Sequence, residues 1–191
     1  PIIRGVCISR DERLGKGTNA SHNKLILDFR STDQILEFVN GKEIERYSQG
    51  GVATPDHVIR TKNWPLVLPL PEDTGNGDFR ERTEHLASIF QQRYDSYFHR
   101  QVERRKLQKT KLDSAPRVVM VPGLGLFGIG RDRNEAVIAA DIAESFVQTI
   151  TNAESIGEYE TLDEADVFDV EYWSLEQAKL SKTITQSLLG N

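Results

Sequence analysis

The chain has 191 residues, 38% of them apolar and 28% charged, with a formal net charge of -5. That balance suits one globular domain with enough Leu, Ile, Val and Phe for a core, and its acidity argues against a general nucleic-acid binder. There is no apolar run long enough to span a bilayer, residues 1–23 do not read as a signal peptide, and the single cysteine, Cys7, excludes an internal disulfide and fits a reducing compartment.

Residues 1–23 read as a flexible N-terminal segment, with Gly15, Gly17, Asn19, Ser21 and Asn23 marking a mobile loop. Lys24 to Phe29 has strand composition. Ser31 is placed to cap a short helix, with Gln34 three residues on completing a capping box. Ile35, Leu36, Phe38 and Val39 give that helix its apolar face, and Gly41 ends it. Residues 43–49 predict a second short helix, stopped by Gly50 and Gly51. Thr54 or Asp56 then serves as a cap or turn residue. Trp64 to Leu70 is apolar but interrupted by Pro65 and Pro69, and proline offers no donor to a ladder, so an edge strand or extended loop is expected.

Residues 73–78 read as a polar linker. Phe79 to about Lys106 predicts the longest helix, with Leu86, Ile89, Phe90, Tyr94, Tyr97 and Phe98 on one stripe. Its acids come early (Glu81, Glu84) and its bases late (Arg104, Arg105), which suits the helix dipole. Arg117 to Val121 predicts a buried strand. After a glycine-rich stretch, Asp132 can cap a helix running to about Ala153, packed through Ala136, Ala139, Ala140, Ala143, Val147 and Ile150, with Gly157 beyond it. The tail from Thr161 to Leu180 is acidic and then helical, and its aromatics Phe168, Tyr172 and Trp173 need somewhere to bury. The order of elements predicts an α/β sheet covered by helices.

Gly123, Gly125 and Gly128 spell G-x-G-x-x-G after a strand. That pattern receives a pyrophosphate when a helix opens within the glycines. Here Leu126, Phe127 and Ile129 continue a strand pattern, and the acid at the expected spacing, Glu144, falls mid-helix. A strand–turn–strand is the favoured reading, and no cofactor is assigned. None of His22, His57, His85 and His99 has metal-site spacing to another, so no metal ligand is assigned.

His57 lies in the segment Thr54-Pro55-Asp56-His57-Val58-Ile59-Arg60-Thr61-Lys62. His57 and Asp56 are the candidate catalytic residues, and Thr54, Arg60 and Lys62 the candidate substrate-binding residues. Such a cluster suits a carboxylate, a phosphate or a metal; a structural turn is the alternative. The basic run from Arg100 to Lys111 reads as a helix C-terminus facing water, with a phosphate or an acidic partner as the alternative. Cys7 has no activating base in view.

Three stretches carry a resemblance: Gly51 to Lys62 with Pro65 and Leu66, Arg117 to Glu144, and Phe168 to Leu180. Together, over about residues 24–180, they resemble the middle region of the bifunctional class II aldolase/short-chain dehydrogenase family, of rhamnulose-1-phosphate aldolase/lactaldehyde dehydrogenase type. The resemblance implies a layered α/β/α domain similar to the class II aldolase/adducin fold over residues 24–157, then a C-terminal extension, 158–191, leading to a dehydrogenase domain.

In that family an aldolase domain with a zinc-binding H-x-H and a later N-H-G comes first, and a Rossmann dehydrogenase domain comes last. Neither motif set stands in this sequence, and Gly123-Leu124-Gly125 occupies the place of Asn-His-Gly, so Leu124 stands where a zinc ligand would. The opening at Pro1, Met120 as sole methionine, and the polar end at Ser187 to Asn191 fit a domain excised from a longer protein.

The resemblance therefore implies zinc and NAD for the parent protein and none for this stretch. It implies flanking aldolase and dehydrogenase domains as partners, a cytoplasmic homo-oligomer, no nucleic acid or membrane partner, and a place in rhamnose or other deoxysugar catabolism. The expected role is an accessory, non-catalytic domain that packs two catalytic units together and completes one site through Asp56 to Lys62. The alternative is a divergent metal-dependent class II aldolase domain with its own site around His57.

Overall fold

Four consecutive apolar residues without a charge suit a strand covered on both faces, and Val118–Val121 (β3) is buried at every position. The computed structural model describes residues 2–7, 25–70 and 76–178. Around β3 lie β1 (Ile26–Arg30), β2 (Leu66–Val67) and β4 (Gly125–Gly130), in the order β1-β4-β3-β2. β4 is antiparallel to both neighbours, with Val119 opposite Phe127 and Leu27 opposite Ile129. β2 pairs parallel to β3 at the sheet edge, where the prolines on either side of it are tolerated.

The helices are α1 (Ile2–Cys7), α2 (Asp33–Val39), α3 (Ile44–Tyr47), α4 (Val58–Thr61), α5 (Asn76–Arg105), α6 (Arg133–Ile156) and α7 (Glu164–Glu171). Alternation along β3 divides the core. Val118 and Met120 join Ile35, Val39, Ala140 and Val147 of α2 and α6. Val119 and Val121 join Tyr94, Tyr97 and Phe98 of α5, with Trp64, Phe168 and Tyr172.

α6 opens where the sequence places it. The Asp132 carboxylate accepts the Glu135 amide at 2.8 Å, which satisfies an otherwise orphaned first-turn donor. The buried face is Ala136, Ala139, Ala140, Ala143, Val147 and Ile150, as expected. Those alanines permit an unusually close approach to the sheet. A Cβ on Gly128 would stand 2.3 Å from the Ala136 carbonyl and 2.4 Å from the Ala140 nitrogen, so only glycine fits there.

Several expectations need correction. α2 is capped by Thr32, whose hydroxyl accepts the Ile35 amide at 3.4 Å; Ser31 does not cap it. α5 begins at Asn76, so residues 76–78 belong to the helix and not to a linker. Ile89 is 47% exposed, because the stripe that packs runs through Thr83, Ala87, Phe90, Tyr94, Tyr97 and Gln101. Near the N-terminus, residues 2–7 form α1, and Cys7 is fully buried against the α5 side of the sheet. The glycine-rich loop expected at residues 15–23 lies outside the described residues.

Beyond residue 157 the chain packs into this same core. Phe168 and Tyr172 stack with ring centroids 4.5 Å apart, and both are buried. The basic end of α5, expected to face water, instead grips α7. Arg100 pairs with Glu164 at 2.8 Å, Arg105 pairs with Asp169, and Lys109 donates to the Tyr172 carbonyl at 2.9 Å. Trp173 remains about half exposed. No helix among the described residues is long and apolar enough to cross a membrane.

Candidate functional site around residues 54 to 62

Pro55, with its fixed φ, starts a 3-10 turn over Pro55–His57, and Thr54 precedes it in extended conformation. The His57 amide donates to the Thr54 carbonyl at 3.1 Å. The Thr54 hydroxyl lies 2.5 Å from His57 Nδ1. That contact fixes the orientation of the imidazole ring. Asp56 sits in the same turn, and its side chain lies outside the described set.

α4 follows directly, and Val58 and Ile59 bury its inner face. The Thr61 hydroxyl donates back to the His57 carbonyl at 3.2 Å. Lys62 ends the helix with φ 65° and ψ 172°. That backbone region is nearly reserved for glycine and costs about 1–3 kcal/mol for other residues.

The Lys62 side chain runs inward and is only 3% exposed. Its Nζ stands 3.9 Å from the centre of the Tyr94 ring and 3.9 Å from Glu171 Oε1. Burial pushes the Lys62 ammonium below its ordinary pKa, and the Glu171 charge acts against that shift. Burial likewise pushes the Glu171 carboxyl up, with Lys62 pulling it down. The Tyr94 hydroxyl donates to Glu171 Oε1 at 2.7 Å and lies 2.8 Å from the Tyr172 hydroxyl, which accepts the Leu112 amide at 3.3 Å. Each phenol has one proton, so the chain runs from Tyr172 to Tyr94 to the carboxylate.

The structure thus divides the predicted residues. Thr54, His57 and Lys62 line one cavity with Trp64 and Phe146, of about 70 Å³. Arg60 lines a separate cleft, with Lys62 at the boundary of both. The first cavity is far smaller than one that encloses a drug-sized ligand. It offers a single imidazole beside largely apolar walls.

Glu171 is the residue that sequence reading missed. Its signal was present: Val167, Phe168, Glu171 and Tyr172 share one helical face, and a carboxylate on an apolar stripe needs a buried cation.

The zinc position implied by the resemblance and the dinucleotide pattern spelled by Gly123, Gly125 and Gly128 can both be set against the residues present. Leu124 sits at the β3–β4 turn, its amide donating to the Val121 carbonyl at 3.0 Å, and its side chain has no lone pair to offer a metal. Nothing in the structure puts it in the lining that holds His57. Among the described residues no group of three or more His, Cys, Asp or Glu side chains could hold a metal ion. Gly123 takes φ 74° and its amide donates to Asn40 Oδ1 at 2.5 Å, so it serves a tight turn. Gly128 serves the contact with α6. Glu144, at the ribose-acid spacing, pairs with Arg30 at 2.7 Å. The glycine run therefore does not fit a pyrophosphate cradle. Cys7 is also chemically quiet: burial pushes its thiol up to about 12, only partly offset by Arg117.

Comparison with known proteins gives the family. The family described as "Aldolase class II, second domain" matches residues 1–180. A Bacillus subtilis (strain 168) protein, "Uncharacterized oxidoreductase YuxG", is 30% identical over 167 residues, covering 87% of this chain. Those residues span only 24% of that relative, so the chain corresponds to about a quarter of its length. With its four-stranded mixed sheet and covering helices, the chain belongs to the class II aldolase second-domain family.

Proposed function

We propose that this is an accessory, non-catalytic domain of a bifunctional sugar-phosphate aldolase/short-chain dehydrogenase that acts in deoxysugar breakdown. Its flanking partners are the aldolase and dehydrogenase units, which hold zinc and NAD in the cytoplasmic, homo-oligomeric parent. On this reading the fold is the layered α/β/α arrangement of class II aldolases, a view supported by the alternation of β3 between α6 and α5. The observation that carries the accessory role is Leu124 at the hairpin tip, where the resemblance implies the histidine of Asn-His-Gly. The domain then serves catalysis by packing the two units together and completing a neighbouring site through the Asp56–Lys62 segment.

The rival is a divergent aldolase domain with its own site, favoured by one contact: Thr54 fixes the His57 ring at the wall of a cavity. Aldol cleavage needs a carbonyl polariser and a base, and the described residues supply only the second. One experiment separates the two. The accessory reading expects the longer parent protein to keep its zinc content and ketose 1-phosphate cleavage within about two-fold after His57→Ala, since general base loss costs at least about 100-fold. A loss of that size, with metal content reduced, establishes the rival.

A further inference from the structure

The chain from Gly51 to Lys62 is tied along its length to one later stretch, residues 159–171. The Tyr159 hydroxyl donates to the Gly51 carbonyl at 3.0 Å, and the Thr161 hydroxyl donates to the Val52 carbonyl at 2.7 Å. Val167 packs with Val52 and Val58 in a small core of their own, apart from the two that flank the sheet. Glu171 then faces Lys62. The entry, the turn and the end of the candidate segment are each met.

At the entry there is no spare room. Gly51 takes φ 128°, and a Cβ there would stand 2.7 Å from Thr161 Cγ2 and 3.2 Å from Asn63 Oδ1. Asn63 Oδ1 also accepts the Val52 amide at 3.2 Å, which ties the two ends of the segment to each other. The bonds that shape the turn itself, from Thr54 and Thr61 to His57, run within the segment. They fix its form; its place on the molecule is set from outside.

Residues 159–171 are seated on both sides of the sheet. The Tyr159 ring meets Phe146 of α6 edge-on, centroids 6.3 Å apart, and Phe146 is also a wall of the cavity that holds His57. On α7, Val167 and Glu171 lie one turn apart, and so do Phe168 and Tyr172. The first pair meets the segment, and the second is sunk in the core beside α5. Helical spacing thus gives α7 one row that anchors and a neighbouring row that grips.

Resting on the reading of residues 56–62 as part of a site, in this domain or a neighbour, we propose that Tyr159, Thr161, Val167 and Glu171 are positioning residues that hold the Thr54–His57 turn in one place against α6. Side chains that must act at a fixed geometry need such support from the shell behind them.

The test follows native-state signals of the 191-residue protein and two variants. Thr161→Val keeps a methyl group against Gly51 and removes the hydroxyl; Tyr159→Phe keeps the ring against Phe146 and removes its donor. The His57 and Lys62 amides, bonded within the segment, report on its place, and the Leu68 and Ile129 amides, bonded in the sheet, serve as reference. Each variant should shift the His57 ring-nitrogen resonances and the two segment amides, and leave the reference resonances where they are. Hydrogen exchange at the His57 and Lys62 amides should quicken by about five-fold or more, the size of one lost hydrogen bond. Thr161→Ser keeps the hydroxyl and should restore both readouts. In the longer parent, Thr161→Val should lower kcat for ketose 1-phosphate cleavage by about ten-fold with KM little changed, as displacement of a supporting segment does.

Unmoved His57 ring signals in both variants, unchanged exchange at the two segment amides, or a Thr161→Ser variant that behaves as Thr161→Val overturns the proposal. A loosened segment with unchanged turnover of the parent supports the positioning role and overturns the reading of residues 56–62 as part of a site.

Discussion

Lys62 concentrates two costs in one residue: a glycine-like backbone conformation and a charge withdrawn from water. Such a residue persists only where its surroundings over-determine it. Here they do so through the Tyr94 ring face and the Glu171 carboxylate. Removing one partner of such a pair strands the other as a buried charge, which costs about 3–5 kcal/mol, whereas replacing both with apolar groups is close to neutral. Lys62→Met should therefore lower the urea midpoint strongly, and Lys62→Met with Glu171→Leu should recover most of the loss. A double variant no more stable than the single would show that Lys62 acts through the backbone turn and not through its charge. The sequence placed Lys62 in the Thr54–Lys62 cluster as a candidate substrate-binding residue. It could not reveal the inward course of the side chain, because the positive φ depends on how α4 is seated on the core and not on any local signal around Lys62.

At the scale of elements, the legible parts were those governed by local periodicity. The six inward positions of α6 follow from small residues recurring at helical spacing, and its Asp132 cap follows from chain order. The edge position of β2 follows from proline chemistry. What escaped were contacts between distant segments. Thr32 caps α2 in preference to Ser31 because that start turns Ile35, Phe38 and Val39 onto the sheet. The tie between α3 and α6 is of the same kind: Arg46 Nη2 meets Glu154 Oε2 at 2.6 Å, and Glu154 also accepts the Tyr159 amide at 2.8 Å. The Arg46 hydrogen bonds hold the Glu154 carboxyl down at about 2. A folded-state pKa below the unfolded value near 4.3 means that this stabilisation is complete above about pH 4.3 and is lost as pH falls towards about 2. Glu154→Gln should flatten the acid limb of a stability–pH curve in that window. It should leave the slope above pH 5 as in the parent, because the carboxylate is already ionised there in both states.

For the molecule as a whole, the question is where the domain ends. The resemblance divides the chain after residue 157 and treats the rest as an extension. Packing instead joins α7 to α5 through opposite charges and stacked aromatics. The acidic tail and the basic end of α5 are two halves of one interface, Glu164 with Arg100 and Asp169 with Arg105. Those charges lie largely at the surface and contribute little each; the greater part comes from Phe168, which is fully buried against Tyr97 and Tyr172. Removing a buried phenyl ring leaves a cavity and costs about 3–5 kcal/mol. Trp173 lies next to the same helix but is 52% exposed, and its indole makes no comparable core contact. Phe168→Ala should therefore lower the denaturant midpoint sharply in a single transition seen by both near- and far-UV circular dichroism, while Trp173→Ala leaves it nearly unchanged. If α7 were only a tether to the next unit, both variants would match the parent. If it folded as a separate unit, Phe168→Ala would split the transition in two. A single, shifted transition makes α7 part of the cooperative core, and it fixes the rotation at which Glu171 can meet Lys62.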